Sequence, residues 1–188
     1  NDGASIVDLG GESSKPGAKK VSTQVEQKRV ISSIKKIKEN NNFHAKISLD
    51  TRNLLTMQTG EENGVDIIND ISGFADAKSI NFISKKKKPI IVMHMQKNPE
   101  IMQQNPQYDF SPIDIYKILF KKIKVLLKSG VKESNIVIDP GIGFGKNLIH
   151  NLEILKYLSL FHGLGVPILI GVSRKSLISD LTINGYKS

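Results

Sequence analysis

The chain has 188 residues, 39% of them hydrophobic, which is the size of one globular domain with a sizeable core. It contains no cysteine, so disulfides and thiolate metal sites are excluded, and a reducing, cytoplasmic location is expected. No apolar stretch approaches the roughly 20 residues of a membrane span, so no membrane partner is expected.

The net charge of +9 at pH 7 invites comparison with nucleic-acid-binding proteins. Lysines cluster at 85–88 and at 121–128, in or at the ends of predicted helices. These clusters are not interleaved with aromatic residues, and the chain has no tryptophan. Solvated helix faces are therefore favoured, and no nucleic-acid partner is expected. The charge is compatible with anionic substrates.

Apolar runs bounded by turn residues alternate with longer stretches of helical periodicity along the chain. The predicted strands cover residues 5–9, 46–49, 65–68, 90–93, 136–138 and 167–170. The predicted helices lie between them, at about 23–39, 54–62, 75–86, 111–129 and 148–162.

Local signals predict where some of these helices begin and which side they bury. Thr23 and Glu26 have the spacing of a capping box at the first helix. Ser111 is the predicted N-cap of the fourth helix, with Pro112 at its first position. The last helix is predicted to bury three leucines, Leu152, Leu155 and Leu158.

Six strand–helix units with nearly continuous apolar strands indicate a parallel sheet covered by helices. An open doubly wound sheet and a TIM (β/α)8 barrel both fit this pattern. The barrel is favoured because polar residues or glycine follow all six strands, whereas an open sheet needs them only at its switch point. Six units are two short of eight. We therefore expect residues 1–188 to be a single barrel domain truncated at both ends.

The fifth strand is followed by the sequence Asp-Pro-Gly-Ile-Gly-Phe-Gly-Lys, residues 139–146. Its three glycines allow the backbone to turn back or to approach a ligand, and Phe144 is a large apolar side chain on that loop. The glycine spacing fits neither a P-loop nor a dinucleotide-binding fingerprint. Alone, the motif is equally compatible with an Asp139 carboxylate that only caps the N–H groups of its own loop.

Six motifs together resemble the dihydropteroate synthase family, in its order and spacing and over essentially the whole chain. They are Gly10-Gly-Glu-Ser-Ser-Lys-Pro-Gly17, Leu49-Asp-Thr51, Ile68-Asn-Asp70, Met93-His-Met-Gln96, 139–146 and Gly171-Val-Ser-Arg-Lys-Ser176. The resemblance implies a TIM-barrel transferase of folate biosynthesis, a cytoplasmic homodimer and a sulfonamide target. Such an enzyme condenses 6-hydroxymethyl-7,8-dihydropterin diphosphate with p-aminobenzoate and releases diphosphate.

The resemblance also implies roles for individual residues. A pterin ring presents N–H donors beside a carbonyl acceptor, and Asp50, Asn69 and Asp139 would supply the complementary groups. Met93 and Gly171 would line the same slot, Lys175 would bond the ring, and Lys175 and Asp139 are the expected catalytic residues. The aminobenzoate and diphosphate loops would be formed by Ser14, Lys15, Pro16, Phe144 and Ser176.

Three neighbouring residues are given structural roles. Asp70 is a predicted capping residue, His94 a predicted core histidine rather than a catalyst, and Arg174 a predicted structural residue at the barrel rim. The chain departs from the family where Ser14-Lys15 replaces the usual Thr-Arg, because lysine lacks the bidentate fork of arginine. The family's Mg²⁺-placing Asn on the first barrel strand and its Arg-x-His anion clamp on the last strand are also absent, so no metal ligand is assigned within this chain.

Two alternatives remain. A related pterin-binding barrel that transfers a methyl group to a corrinoid would share the pterin-holding residues but would have no use for Ser14-Lys15 or the 173–176 turn. A non-catalytic remnant barrel or basic interaction module is opposed by the acidic residues retained at the expected strand ends.

Overall fold

The computed structural model describes residues 3–173, 175 and 178. Its five strands are β1 (Ile6–Gly10), β2 (Lys46–Asp50), β3 (Ile67–Asp70), β4 (Ile90–Met93) and β5 (Ile136–Asp139). They form one sheet in the order β1-β2-β3-β4-β5, and every neighbouring pair is parallel. A doubly wound sheet reverses its strand order at a switch point, whereas a barrel does not. The sequential order confirms the predicted barrel, of which these strands form part.

Helices connect successive strands, as parallel pairing requires. They are α1 (Thr23–Lys38), α2 (Leu54–Glu62), α3 (Ala77–Lys86), α4 (Ser111–Lys128) and α5 (Leu148–Lys156), with 3-10 helices at Glu133–Asn135 and Leu158–Leu164. Within the described residues, no helix combines the length and the apolar character that crossing a bilayer would require.

The two faces of the sheet differ because side chains alternate along each strand. One set joins the helices in a single apolar core, in which strand residues such as Leu49, Val92 and Ile138 pack with Ile34 of α1 and Leu119 of α4. The alternate positions line a cavity at the carboxyl ends of the strands. The strands therefore bury one face against the helices and direct the other towards the interior of the barrel.

The predicted sixth strand is reduced to a single parallel bridge between Ile138 and Ile168. Two hydrogen bonds hold it beside β5, from Ile138 N to Pro167 O at 2.9 Å and from Leu169 N to Ile138 O at 2.8 Å. Pro167 has no N–H to donate, which limits the ladder at that end. The prediction of a full strand over 167–170 was wrong, although the segment lies where that strand was expected.

Two predicted helix starts were also wrong by one residue. The N-cap of α1 is Ser22, whose hydroxyl accepts from Val25 N at 3.4 Å, and Glu26 does not take part in a capping box. The N-cap position of α4 is Phe110, which has no side-chain cap. The Asp114 carboxylate instead accepts from the N–H groups of Asp109 and Phe110, at 2.9 and 3.2 Å.

The buried side of α5 differs from the predicted leucine stripe. Asn151 and Ile154 are its buried residues, whereas the Leu152 side chain is 38% exposed. Asn151 determines this orientation, because its side chain donates to Asn147 O and accepts from Gly143 N, both at 2.8 Å. Leu155 and Leu158 are partly buried, and Leu158 belongs to the following 3-10 helix.

Candidate active site

Two cavities adjoin at the carboxyl ends of the strands. The first has a volume of about 350 Å³, and its lining includes Asp50, Asn69, Met93, Asp139 and Gly171. The second has a volume of about 810 Å³ and is lined by Ser14, Lys15, Pro16, Gly143, Phe144, Ser173 and Lys175. Ser14 and Phe144 belong to both cavities.

The structure thus brings together every predicted site residue that it describes. The residues predicted to hold a pterin gather in the first cavity because β2, β4 and β5 end at Asp50, Met93 and Asp139, and Asn69 pairs with Asp50 in the parallel register. Lys175 lies in the second cavity and not in the first. Ser176 and Arg174 lie outside the described residues.

Asp8 is a residue of the first cavity that the sequence interpretation missed. It lies opposite Ser48 in the β1–β2 register, two residues before Gly10, which pairs with Asp50. The side-chain amide of Asn69 donates to its two carboxylate oxygens, at 3.3 and 3.5 Å. Strand alternation could have identified Asp8, because it is an acidic residue inside an apolar run and faces the same side as the strand's last position.

Ser48 adds a buried polar group to this cavity. The residue is only 1% exposed and lies opposite Asp8 in the β1–β2 register. Buried polar groups in folded proteins are normally paired with protein or water. Asp8 is the neighbour with which the Ser48 side chain interacts, and this interaction partly offsets the rise in the pKa of Asp8 that burial causes.

The carboxyl groups of the first cavity hold their protons unusually tightly. Burial, reinforced by the neighbouring charge of Asp8 and by Asp70, raises the pKa of Asp50 to about 8. Burial also raises the pKa of Asp8, partly offset by hydrogen bonding that includes the Asn69 amide. Burial raises the pKa of Asp139 as well, against the opposing effects of a Gly141 N–H bond and of nearby lysines. A ligand edge rich in N–H donors would stabilise the ionised form of these carboxyl groups and so lower their pKa values.

Asp139 combines two roles that the sequence left open. Its Oδ1 accepts from Gly141 N at 2.7 Å, so the carboxylate does cap its own loop, and the residue also lines the first cavity. Asp70 caps the loop after β3 as predicted, accepting from Ser72 N at 2.7 Å and from Phe74 N at 3.0 Å.

Lys175 is bonded within the site. Its Nζ donates to the carbonyl of Ile142 at 2.6 Å and lies 4.2 Å from the centroid of the Phe144 ring. Burial lowers the pKa of Lys175, and the charge of Asp139 partly compensates. The amine therefore lies in the second cavity, next to the Phe144 ring that both cavities share.

Two glutamates, Glu12 and the buried Glu26, fix the base of the loop that follows β1. Glu12 accepts from Val21 N and from Arg52 Nε, both at 3.1 Å. Glu26, which is fully buried in α1, accepts from three side chains of the segment after Asp50: Thr51 at 2.6 Å, Asn53 at 2.6 Å and Thr56 at 2.9 Å. These bonds join the loop after β1 to the end of β2. Lys15 and Pro16, at the tip of the loop, are exposed.

Comparisons with known proteins agree with this arrangement. The family described as pterin binding enzyme matches residues 1–187. Dihydropteroate synthase of Escherichia coli strain K12 is 38% identical over 181 residues, which are 96% of this chain and 64% of that protein. The chain therefore spans about 64% of the length of this curated relative.

Solved structures show the same similarity. The Yersinia pestis dihydropteroate synthase with a sulfonamide drug complex superimposes with a TM-score of 0.91 at 35% identity, covering 96% of this chain and 65% of that one. The Xanthomonas albilineans dihydropteroate synthase with 4-aminobenzoic acid gives a TM-score of 0.88 at 32% identity, covering 99% and 64%.

Proposed function

Because the chain belongs to the pterin-binding enzymes, we propose that the protein is a dihydropteroate synthase of folate biosynthesis. It would join the methylene carbon of 6-hydroxymethyl-7,8-dihydropterin diphosphate to the amine of p-aminobenzoate. The observation that carries this proposal is the pair of adjoining cavities, one lined by carboxyl and amide groups and the other by basic and apolar side chains.

The first cavity suits the pterin ring. Its floor offers Asp50 and Asp139 as acceptors, and Asn69 as a donor and an acceptor. The pterin edge carries ring and amino N–H donors beside a carbonyl, so its polar atoms would find complementary partners. Met93 and Gly171 would contact the faces of the ring. Because these pairs would be buried, the loss of one partner would weaken binding appreciably: an unpaired donor left in such a site costs about 1–3 kcal/mol.

The second cavity suits the aminobenzoate and the diphosphate. Phe144 and Pro16 would supply apolar walls for the benzene ring, and Ser14, Lys15 and Ser176 would contact the anionic groups. The Nζ of Lys175 would exchange its bond to Ile142 O for the pterin ring when substrate enters. Since Phe144 lines both cavities, the two substrates would meet beside its ring.

The reaction requires orientation rather than a protein nucleophile. The bond between the pterin methylene carbon and the diphosphate oxygen breaks, and diphosphate leaves with the electron pair. The aminobenzoate nitrogen forms the new bond to that carbon and then loses a proton. The residues of the two cavities would hold the reacting atoms in line, exclude water and place positive charge from Lys15 and Lys175 near the leaving group.

We also propose Mg²⁺ as the counterion of the diphosphate. The described residues do not form a site for it, since they contain no group of three or more His, Cys, Asp or Glu side chains that could hold a metal ion. Mg²⁺ commonly keeps several waters and binds through substrate phosphates, so the diphosphate itself would be its principal ligand. None of the roles given to this chain's residues depends on the metal.

A cytoplasmic homodimer and sensitivity to sulfonamides complete the proposal. The absence of cysteine supports a reducing compartment. Exposed apolar side chains on α4, including Phe120 at 40% and Val125 at 52%, support self-association. Light scattering on the purified protein would measure its oligomeric state. Inhibition by a sulfonamide that competes with aminobenzoate would test the proposed sulfonamide sensitivity.

The deciding experiment measures diphosphate release by protein expressed from the complete coding sequence. Wild type should release diphosphate only when both substrates are present. Asp139→Ala should lower kcat/KM by a factor corresponding to about 2–4 kcal/mol, because it removes a buried acceptor from the pterin site. Asp66→Ala, at the opposite end of the sheet, is the matched control and should retain activity. No diphosphate release by wild type, or an Asp139→Ala enzyme with unchanged kcat/KM, would contradict the proposal.

A further inference from the structure

In the β5–α5 loop (140–147), five consecutive backbone carbonyls, those of residues 141–145, accept hydrogen bonds from side chains. Lys146 Nζ bonds to the carbonyls of Gly141 and Phe144, each at 2.8 Å. The three carbonyls of residues 142, 143 and 145 accept from Lys175 at 2.6 Å, Gln103 at 3.0 Å and Tyr108 at 2.9 Å. The loop needs these partners because its left-handed glycines, with φ of 71, 80 and 62°, leave the carbonyls without a regular ladder.

Lys146 is the one of these donors that lies within the loop itself. It is 3% exposed, and its Nζ also lies 3.1 Å from His94 Nδ1. The amine has three acceptors within 3.1 Å, at 2.8, 2.8 and 3.1 Å. None of the ion pairs formed among the described residues includes Lys146. The amine is therefore held by carbonyl dipoles and a ring nitrogen. Burial lowers the pKa of Lys146 to about 7, and the charge of Asp139 partly opposes that shift.

His94 completes the cage around this amine. It is 2% exposed, as predicted for a core histidine, and its own carbonyl oxygen lies 3.4 Å from Lys146 Nζ. Burial and the charges of Lys146 and Lys122 hold the pKa of His94 well below its usual value, so the ring is neutral. Its Nδ1 can then accept from the ammonium while Nε2 carries the proton.

The cage joins the ends of two strands. A side chain at Gly141 would collide with the carbonyl of His94, so the loops after β4 and β5 are in direct backbone contact there. Fixing the carbonyls of residues 141 and 144 fixes the turn between them, and that turn carries Phe144, the wall of both cavities. Asp139 is attached to the same turn through its bond to Gly141 N.

We infer that Lys146 is a positioning residue, a buried amine that holds the β5–α5 loop against His94 and thereby sets Phe144 between the two cavities. The kinetic part of this inference rests on the proposed function. The structural part does not, because it concerns only hydrogen bonds within the chain.

The experiment removes the Lys146 amine by mutation and then supplies a small soluble amine in its place. In protein from the complete coding sequence, Lys146→Ala should speed amide hydrogen exchange in the peptide 140–147 by at least tenfold. It should raise KM for aminobenzoate more than it lowers kcat, since Phe144 would lose its fixed position. Added n-propylammonium, which matches the removed atoms, should restore both properties, whereas tetramethylammonium at the same ionic strength cannot donate a hydrogen bond and should not.

Two further variants complete the design. Lys88→Ala removes a similar bond, from Nζ to Val65 O at 2.6 Å, near the opposite end of β3, and should leave exchange in 140–147 unchanged. Lys146→Met retains the stem without the donors and should speed exchange like the alanine variant. It should not be rescued, because the methyl terminus fills the space.

Protection of 140–147 at the wild-type level in both Lys146 variants would overturn the inference. Loss of protection throughout α1 and β2 in both variants would overturn it equally, because Lys146 would then support the whole core rather than one loop. If wild type forms no dihydropteroate but exchange in 140–147 responds as described, the proposed function fails and the structural role of Lys146 stands.

Discussion

The side-chain amide of Asn69 on β3 donates to the carboxylate of Asp8 on β1 across the intervening strand β2, at 3.3 Å to Oδ2. The amide is thereby oriented before any ligand arrives, with its oxygen left free to accept. An acidic residue inside the first strand therefore determines how a residue at the end of the third strand presents itself to the cavity. This bond leads directly to a testable consequence for ligand binding.

Replacing Asp8 by Ala should weaken the binding of a dihydropterin roughly five- to thirtyfold, the equivalent of about 1–2 kcal/mol. The change frees the Asn69 amide from its acceptor, so the side chain must be reoriented when the ligand binds. Isothermal titration calorimetry on wild type and variant measures the effect. Asp66→Ala is the control, since Asp66 bonds to Ile47 N at the other end of the sheet. Equal affinities of wild type and Asp8→Ala would show that Asn69 needs no such orientation.

Asp50 should make stability depend on pH. Its pKa in the folded protein is about 8, above the ordinary 3.8. Its contribution to stability is therefore complete below pH 4 and is lost progressively as pH rises from 4 through 8. Asp50→Asn stays neutral throughout. The free energy of unfolding of the variant should therefore rise, relative to that of wild type, by roughly 2–4 kcal/mol between pH 5 and pH 8.

Urea denaturation at four pH values in this range measures that difference. Asp66→Asn is the control. Desolvation would raise the pKa of Asp66, but the hydrogen bond from the Ile47 N–H and the hydrogen bond and charge of Lys46 lower it by more. Its titration lies below the range, so its difference from wild type should stay constant. A constant difference for Asp50→Asn as well would mean that Asp50 is already ionised in the empty cavity at pH 5.

Lys15→Arg should lower KM for the diphosphate substrate or for aminobenzoate. Lys15 is exposed at the tip of the loop after β1 and lines the second cavity. An arginine fork can bond two anionic oxygens at once, whereas an ammonium acts as a point charge. Steady-state kinetics with each substrate varied in turn provides the measurement. A clear rise in KM would indicate that the loop is shaped around lysine.

Glu26→Ala should reduce the free energy of unfolding by about 3 kcal/mol or more. The carboxylate is fully buried and accepts from three side chains, so its removal leaves several donors unpaired inside the protein. Glu26→Gln retains one acceptor oxygen and should cost less. Glu39→Ala, on an exposed side chain at the end of α1, should change stability little. Denaturant titration would contradict this role if Glu26→Ala and Glu39→Ala were equally stable.

Local sequence pattern was sufficient to predict the elements whose boundaries are set by residues at their own ends. The predicted bounds of α2 and β4 agree with the structure because Gly64 stops the helix and Pro89 precedes the strand. The capping box failed for a different reason. Glu26 has the right spacing from Thr23, but its partners Thr51 and Thr56 come from the next strand–helix unit, about 25–30 residues further along. No window on the first helix contains that information.

Most residues of the candidate site were predicted from the sequence because they lie in family motifs at the ends of strands. Asp8 was missed because it lies within its strand, and its partner Asn69 is 61 residues away. The partners of Lys146 were likewise not predictable. A lysine after a glycine-rich loop normally suggests a solvent-facing charge, and only the approach of the chain at His94 creates its cage.

The contrast between the loops after β5 and β1 has a consequence for how such a protein can change over generations. Most backbone groups of 141–146 are hydrogen-bonded, and a new side chain at Gly141 has no room. The tip of the loop after β1 is exposed, and Gly17 is attached there by a single backbone bond to Pro99. Heritable variation in ligand discrimination should therefore accumulate around residues 14–17, while the aromatic wall opposite remains almost invariant.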